Sequence, residues 1–302
     1  MIRFEAFGKS YGGQRAVEGL TLSVVTGEVV ALLGPNGSGK TTSLKAAAGL
    51  VRPTAGRTLV GASEGSLRPA DEPEARKVLS YLPQRVSFPD ALTGREVLDF
   101  YRKLRGVRAA RVDDALRLAS LNGSASRTVG TYSGGMVQRL GLAVAVLPDA
   151  PVLLLDEPTA ALDPDGLCAF HGLVETRRRA GKTVLFTSHQ LGDVEQLADR
   201  IAVLVDGRLV ALLTAGELAT RLAERGVMRV RIPVRPSDLL DTVRSVAPDA
   251  SWNGEELVVP GPARQRPVVL DALRAAGAEI SGLTAQEGRL EELYRELVQE
   301  HS

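Results

Sequence analysis

A glycine-rich segment carries the most specific chemistry in the chain. Residues 34–41 have the sequence Gly-Pro-Asn-Gly-Ser-Gly-Lys-Thr and directly follow the apolar run Val29-Val-Ala-Leu-Leu. Glycines let a backbone approach phosphate oxygens closely, and a helix predicted from Thr41 onward would turn unpaired amides toward an anion. Lys40 adds a positive charge, and Thr41 adds a hydroxyl suited to Mg²⁺. A chance glycine turn would not be expected between a strand and a helix, so a phosphate-binding loop is favoured.

Two adjacent carboxylates end a second apolar run. Val152-Leu-Leu-Leu is followed by Asp156 and Glu157. Successive residues of a strand point in opposite directions, so the two acids are expected to have different tasks. We expect Asp156 to hold the metal shell and Glu157 to face the nucleotide as the base that polarises a water. Such a pair alone is a common surface feature, but beside a phosphate loop it favours catalysis.

A third segment, Tyr132-Ser-Gly-Gly-Met-Val-Gln-Arg, begins a predicted helix. Ser133 can cap this helix, and the amides of Gly134 and Gly135 would carry the positive end of its dipole. Most Ser-Gly-Gly segments are only turns. Its position shortly before the acidic strand favours a second anion-binding site.

The order of these motifs resembles that of ABC ATPases over residues 1 to about 220. The matching elements, in chain order, are Tyr11, the phosphate loop at 34–41, Gln84 in Tyr81-Leu-Pro-Gln, the signature from Ser133, the acidic pair, Ala161-Leu-Asp163, and His189 in Thr187-Ser-His. The resemblance implies a P-loop ATPase that uses ATP and Mg²⁺.

The resemblance also assigns roles to single residues. Glu157, His189 and Gln84 are the expected catalytic group, in which His189 contacts the γ-phosphate and Gln84 senses Mg²⁺ and the transport partner. Asp163 is expected to communicate across a dimer. Asp163 followed by Pro164 also predicts a helix start, with Asp163 as the N-cap. The metal ligands are expected to be Thr41, Gln84 and Asp156. The expected nucleotide contacts are Tyr11 stacked on adenine, Gly34, Pro35, Asn36, Gly37, Ser38, Gly39, Lys40, Thr41, Thr42, Ser133, Gly134, Gly135 and Asp163.

The implied assembly is a homodimer of two head-to-tail chains, with each ATP between one phosphate loop and the other chain's signature. Integral membrane permease subunits would be separate chains, which places this chain in the cytoplasm, peripheral on the inner face of the cell membrane. Two residues depart from the family pattern, because Tyr132 replaces the usual leucine and Met136 the usual glutamine. Neither change removes the serine or the glycines.

A narrower resemblance concerns the transported substrate. Tyr81-Leu-Pro-Gln-Arg-Val-Ser-Phe, Leu92-Thr-Gly-Arg-Glu-Val-Leu and Leu290-Glu-Glu-Leu-Tyr resemble export-type ATPases. The arrangement is most similar to the ATPase of the copper-processing Nos transporter, which serves nitrous oxide reductase maturation and implies a periplasmic accessory protein reached through the permease. Multidrug-exporter ATPases share much of this pattern, so both interpretations stay open. The scattered Cys168, His171, Met136 and Met228 lack metal-ligand spacing.

Alternating strands and helices must position these motifs, and they predict an α/β nucleotide-binding domain at residues 1–225 with a parallel sheet and a helical insertion at about 85–147. Residues 226–302 predict a smaller α+β, ferredoxin-like domain with an accessory or dimerisation role, whose last strand is expected at Glu279–Leu283.

Composition narrows the function classes. With 37 basic and 36 acidic residues the net charge is +1, which argues against a nucleic-acid partner. Cys168 is the single cysteine, the amino terminus does not resemble a signal peptide, and no stretch offers the roughly 20 apolar residues of a spanning helix. A soluble chain with a membrane partner is therefore expected. ABC ATPases that act on ribosomes would be expected to carry two nucleotide domains in tandem, and this sequence predicts one. DNA-repair ATPases would be expected to carry a long coiled coil or a zinc insertion, and the sequence predicts neither.

Overall fold

A computed structural model describes residues 1–188, 191–288 and 293. Contacts within the chain divide it into two units, Met1–Ala215 and Gly216–Ser302. The sequence-based boundary, between residues 225 and 226, lies a short way into the second unit.

Two sheets and several helices build the first unit. Its strands are β1 (Ile2–Tyr11), β2 (Gln14–Val24), β3 (Val29–Leu33), β4 (Ala55–Val60), β5 (Arg68–Pro69), β6 (Leu79–Leu82), β7 (Val152–Leu155), β8 (Thr183–Ser188), β9 (Arg200–Val205) and β10 (Arg208–Thr214). Its helices are α1 (Lys40–Ala47), α2 (Pro73–Lys77), α3 (Gly94–Arg105), α4 (Ala110–Leu118), α5 (Gly134–Val146), α6 (Pro164–Arg179) and α7 (Leu191–Leu197).

The larger sheet has the strand order β10-β9-β3-β8-β7-β6. Strands β3 and β7 are buried along their whole length because both are continuous apolar runs. The pairs β3–β8, β3–β9, β6–β7 and β7–β8 are parallel, and β10 pairs with β9 antiparallel. Parallel strands end at the same edge, so the phosphate loop after β3 and the acids after β7 meet there.

The smaller sheet, of order β2-β1-β4-β5, is antiparallel and covers the other side of α1. Phe4 of β1 and Leu22 of β2 share one buried cluster with Leu44 of α1 and Leu32 of β3. Helix α1 is therefore fixed from both sides. That packing sets the position of the phosphate loop immediately before it.

The helical insertion contains α3, α4 and α5. Helix α3 begins with a capping box, because Thr93 Oγ1 accepts the Glu96 amide at 3.2 Å and Glu96 Oε2 accepts the Thr93 amide at 2.8 Å. It ends at Gly106, which has a left-handed backbone with φ +65°. Within the described residues, no helix has the length and apolar character needed to cross a membrane.

Helix α8 (Ala215–Ala223) leads into the second unit. This unit contains β11 (Val227–Arg231), α9 (Leu239–Arg244), β12 (Ser251–Asn253), β13 (Glu256–Pro260), α10 (Arg266–Ala275) and β14 (Gly282–Gln286). The antiparallel strand order β12-β13-β11-β14 is the ferredoxin-like arrangement predicted from the sequence. The last strand was predicted at Glu279–Leu283 and lies slightly later.

Candidate active site

The phosphate loop connects β3 to α1 through backbone conformations that require glycine. Gly34 has φ +149°, and a Cβ atom there would lie 2.2 Å from the carbonyl oxygen of Leu204. Gly39 has φ +96°, and its Cβ would lie 2.6 Å from the carbonyl oxygen of Ala16. A side chain fits at neither position. The loop is thus held against neighbouring backbone, with the first turn of α1 directly behind it.

Lys40 places its ammonium group over this loop. Its Nζ donates hydrogen bonds to the carbonyl oxygens of Gly34 at 2.7 Å and Pro35 at 2.9 Å. Burial lowers the pKa of Lys40, whereas the charges of Glu157 and Asp156 raise it. A largely desolvated cation beside a helix N-terminus is well suited to phosphate oxygens, because it interacts with anions more strongly than in water.

A cavity of about 510 Å³ opens beside the loop. Tyr11 stands half-exposed at its rim, and Lys9 Nζ lies 5.0 Å from the centre of its ring. The lining residues are Tyr11, Gln14, Arg15, Ala16, Asn36, Gly37, Ser38, Gly39, Lys40, Thr41, Thr42, Gln84 and Glu157. Of these, residues 14–16 were not singled out from the sequence. Their position directly after the Tyr11-Gly-Gly turn was the available signal.

Asp156 is fully buried next to the loop. Its Oδ1 accepts hydrogen bonds from Thr41 Oγ1 at 3.0 Å and from Thr187 Oγ1 at 2.9 Å. Its Oδ2 accepts one from Tyr81 Oη at 3.4 Å, and burial raises the pKa of that phenol. The carboxylate and the Thr41 hydroxyl are hard oxygen donors, the type that Mg²⁺ prefers, so the residues present fit this metal.

Glu157 shares one partner, Thr187, with Asp156, and its side chain has a further partner of its own in Gln84. Its amide donates to Thr187 Oγ1 at 2.7 Å, and its Oε2 accepts a hydrogen bond from Gln84 Nε2 at 3.1 Å. Its φ of +47° is left-handed, which is strained for a residue other than glycine and is typical of functional positions. Thr187 therefore bridges the two acids. The sequence pattern contained Thr187 only as part of a motif and indicated no role for it.

The signature segment forms the N-terminus of α5. Ser133 Oγ accepts the Met136 amide at 3.2 Å, as a helix cap does. Ser133 and Gly134 are exposed, and a Cβ atom at Gly135 would lie 3.0 Å from the carbonyl oxygen of Ala161. Asp163 caps α6 as predicted, with its Oδ1 accepting the Gly166 amide at 2.9 Å. The segment thus presents the amide end of a helix at the surface.

Comparison with known proteins identifies the family. Residues 17–160 match the family model described as ABC transporter. The daunorubicin resistance ATP-binding protein DrrA3 of Streptomyces coeruleorubidus is 34% identical over 96% of this chain and 93% of its own length. The chain belongs to the ABC transporter ATP-binding proteins. The linearmycin resistance ATP-binding protein LnrL of Bacillus subtilis (strain 168) is 30% identical over 98% of both chains.

A solved structure extends the comparison to the ABC ATPase fold. The dimeric structure of a post-hydrolysis state of the ATP-binding cassette MJ0796, bound to ADP and Pi, matches with a TM-score of 0.64 and 25% identity. The match covers 71% of this chain and 99% of that one. The chain is therefore an ATP-binding ABC ATPase, and the fold expected from the sequence is confirmed.

This ABC ATPase brings together only some of the predicted site residues. Residues 36–42, Tyr11, Gln84 and Glu157 line one cavity, and Asp156 is tied to it through Thr41. Among the other predicted site residues that the structure describes, those that do not line that cavity are Gly34, Pro35, Ser133, Gly134, Gly135 and Asp163. His189 lies outside the described residues. The roles of all these residues stay predictions.

Proposed function

We propose that this ABC ATPase hydrolyses Mg-ATP in a head-to-tail homodimer and thereby drives a separate membrane-spanning export subunit. The observation that carries the proposal is the separation of two anion-binding elements. The phosphate loop faces the cavity, whereas the exposed N-terminus of α5 contributes nothing to its described lining. A second chain would supply its own signature to the cavity, and the dimeric MJ0796 cassette supports such an assembly.

Within the cavity the chain's own groups divide the work. Lys40 and the loop amides bind phosphate oxygens, and Tyr11 offers its ring to adenine. Mg²⁺ would be held by Thr41, Asp156 and Gln84, and when bound it neutralises phosphate charge.

Catalysis is assigned to Glu157, which Gln84 and Thr187 hold just beyond the carboxyl end of β7. Glu157 acts as the base that polarises the attacking water, and His189 contacts the γ-phosphate. Because Gln84 touches Glu157 directly, a displacement of the residues around Gln84 would move the base.

A groove of about 300 Å³ next to Gln84 is the proposed docking site for the permease. Pro83, Phe88, Tyr101 and Leu104 give it apolar walls, and Arg85 and Arg105 add positive charge. Leu104 is 68% exposed and the adjacent Phe100 is 59% exposed, which is unusual for such large apolar side chains. An apolar segment with acidic residues from a membrane subunit fits this surface, and it would hold the chain at the cytoplasmic face of the membrane.

Two classes of transported substrate are supported by different observations. The names of DrrA3 and LnrL describe drug-resistance proteins, and both relatives match over nearly the whole of this chain, which supports the function of a multidrug-type exporter ATPase. The alternative is the Nos-type function, copper or sulfur-species handling for nitrous oxide reductase maturation, which rests on the motif resemblance. In both cases the permease would form the substrate path, and only the second would involve a periplasmic accessory protein.

The deciding experiment is capture of membrane partners by the Glu157→Gln chain, with and without ATP. We expect ATP-dependent recovery of a polytopic membrane protein, and no such dependence for Lys40→Ala, which should not bind ATP. Co-purifying periplasmic copper or reductase-maturation proteins would favour the Nos-type function. Recovery of ribosomes, of DNA or of no membrane protein would contradict the transport function while leaving the ATPase chemistry intact.

A further inference from the structure

The residue before the signature serine makes a contact that nucleotide chemistry does not require. Tyr132 stands where family members usually have leucine, and its hydroxyl donates a hydrogen bond to the carbonyl oxygen of Ser124 at 2.7 Å. Burial raises the pKa of this phenol, opposed by Arg127 and by the backbone of Gly94. The phenol therefore stays protonated near neutral pH and remains a donor.

The same hydroxyl lies against the first residue of α3. A Cβ atom added to Gly94 would come within 2.3 Å of Tyr132 Oη and 3.2 Å of its Cζ. Gly94 is buried and directly follows the capping residue Thr93. A methyl group at residue 94 would push the phenol out of this place, so the position of the phenol depends on the absence of a side chain there.

Backbone hydrogen bonds join the same two segments. The Val129 amide donates to the Leu92 carbonyl at 2.8 Å, and the Gly130 amide donates to the Asp90 carbonyl at 3.0 Å. In the opposite direction, the Arg95 amide donates to the Ala125 carbonyl at 2.9 Å. Residues 124–132 and the start of α3 therefore form one hydrogen-bonded unit. Tyr132 closes this unit immediately before Ser133.

The other end of α3 carries Leu104, which lines the groove proposed for the permease. We propose that Tyr132 is a positioning residue that links α3 to the signature, so that a displacement of α3 by the permease shifts Ser133. The inference rests on the proposed function, in which Ser133 binds the ATP held by the partner chain. It predicts that loss of the Tyr132 hydroxyl affects dimer closure and not ATP binding by a single chain.

The test uses Tyr132→Phe in the full chain carrying Glu157→Gln, which should accumulate the ATP-bound dimer. Sedimentation measures the dimer dissociation constant in Mg-ATP, and a fluorescent ATP analogue measures nucleotide affinity at concentrations where the chain is monomeric. We expect the dissociation constant to rise by up to about fivefold, the limit reached if this one neutral intrachain hydrogen bond is needed only for closure, with monomer affinity unchanged.

Thr131→Val is the matched control. Thr131 Oγ1 donates to the Thr128 carbonyl at 2.8 Å, so this variant loses a hydroxyl from the same turn without touching α3. Its dimer dissociation constant should stay at the parent value. An equal weakening by Thr131→Val would attribute the effect to general loosening of the turn and overturn the inference.

A compensation experiment guards against misfolding. Gly94→Ala alone should displace the phenol and weaken the dimer at least as much as Tyr132→Phe. Adding Tyr132→Leu removes both short contacts. The dimer dissociation constant of the double variant should therefore equal that of Tyr132→Leu alone. Strictly additive losses would contradict the proposed contact.

Ser133→Ala separates this inference from the proposed function. If Ser133→Ala weakens the dimer and Tyr132→Phe does not, Tyr132 is not a positioning residue. The shared site, meaning the ATP site formed by one chain's phosphate loop and the other chain's Ser133, would still be supported. A lower melting temperature of Tyr132→Phe with an unchanged dissociation constant leads to the same conclusion. If Ser133→Ala leaves the dimer unchanged, the shared site itself is wrong.

Discussion

The nucleotide cavity and the signature segment differ in how far one chain completes them. Lys40, Asp156 and Glu157 are 5%, 0% and 8% exposed, and each makes hydrogen bonds within the chain. Ser133 and Gly134, in contrast, are exposed on the surface. Buried charges need internal partners to be stable, whereas a helix N-terminus can leave its amides to solvent.

This difference separates binding from assembly. In the proposed dimer, the cavity, whose groups are already paired, would bind ATP in a single chain. The exposed N-terminus of α5 would gain its anion only when a second chain approaches, so its contribution would depend on protein concentration and on bound nucleotide. Variants of the cavity should therefore lose ATP binding or turnover, whereas variants of the signature should lose ATP-driven dimerisation.

The largest effect is expected from Glu157→Gln. Removing a general base typically lowers turnover by about 10²–10⁴-fold, whereas the isosteric amide preserves the shape of the cavity. We expect ATP affinity to be retained and the closed dimer to accumulate, measured by phosphate release and by sedimentation. Glu74→Gln, an exposed acid on α2, is the control and should behave as the parent. Normal turnover in Glu157→Gln would refute its role as the base.

Lys40→Ala should weaken the binding of ATP in the cavity. The loss of a buried cation that faces phosphate is expected to weaken monomer ATP affinity on the order of a hundredfold. Calorimetry with Mg-ATP measures this directly. Lys45→Ala removes the same charge from the other end of α1, away from the cavity lining, and should leave affinity unchanged. Equal affinity of Lys40→Ala and the parent would count against the phosphate-loop assignment.

Of the two functional steps, ATP binding by one chain and assembly of the dimer, Ser133→Ala should affect only assembly. One lost hydrogen bond to a charged phosphate corresponds to roughly thirtyfold weaker ATP-driven dimerisation. Because Ser133 also caps α5, the variant should lose about 1 kcal/mol of stability as well. Ser133→Asn keeps a capping acceptor and separates the two effects by thermal unfolding. A loss of monomer ATP affinity in Ser133→Ala would break the distinction between the two regions.

Local patterns predicted the parts of the fold that depend on few residues. The continuous apolar runs of β3 and β7 identified buried parallel strands, and the Asp-Pro start of α6 identified its cap. The order of strands and helices also predicted the ferredoxin-like second unit. The apolar runs and the cap lie within short stretches of sequence, and the order of elements can be read along the chain without knowledge of contacts between distant residues.

Short sequence patterns could not predict features that depend on contacts between elements distant along the chain. Strand β6 is only four residues long and contains Ser80 and Tyr81, so it has neither an apolar run nor a clear alternation. Strand β14 is an exposed edge, which weakens its alternation and explains the misplaced bounds. The bridge from Thr187 to both acids depends on β8 lying beside β7, and no spacing along the chain reveals it.

Thr187→Val tests whether the cavity needs that bridge, and the effect should be the smallest of the four on function. The variant keeps the shape of the side chain but removes a donor to Asp156 and the acceptor of the Glu157 amide. We expect turnover to fall about tenfold and stability to drop by about 1–3 kcal/mol, because a buried amide loses its partner. Thr187→Ser restores the hydroxyl and should recover most of the turnover, whereas Thr183→Val at the start of β8 should lower stability without a comparable loss of turnover. If Thr187→Val hydrolyses ATP at the parent rate, the two carboxylates are positioned by the backbone of β7 alone.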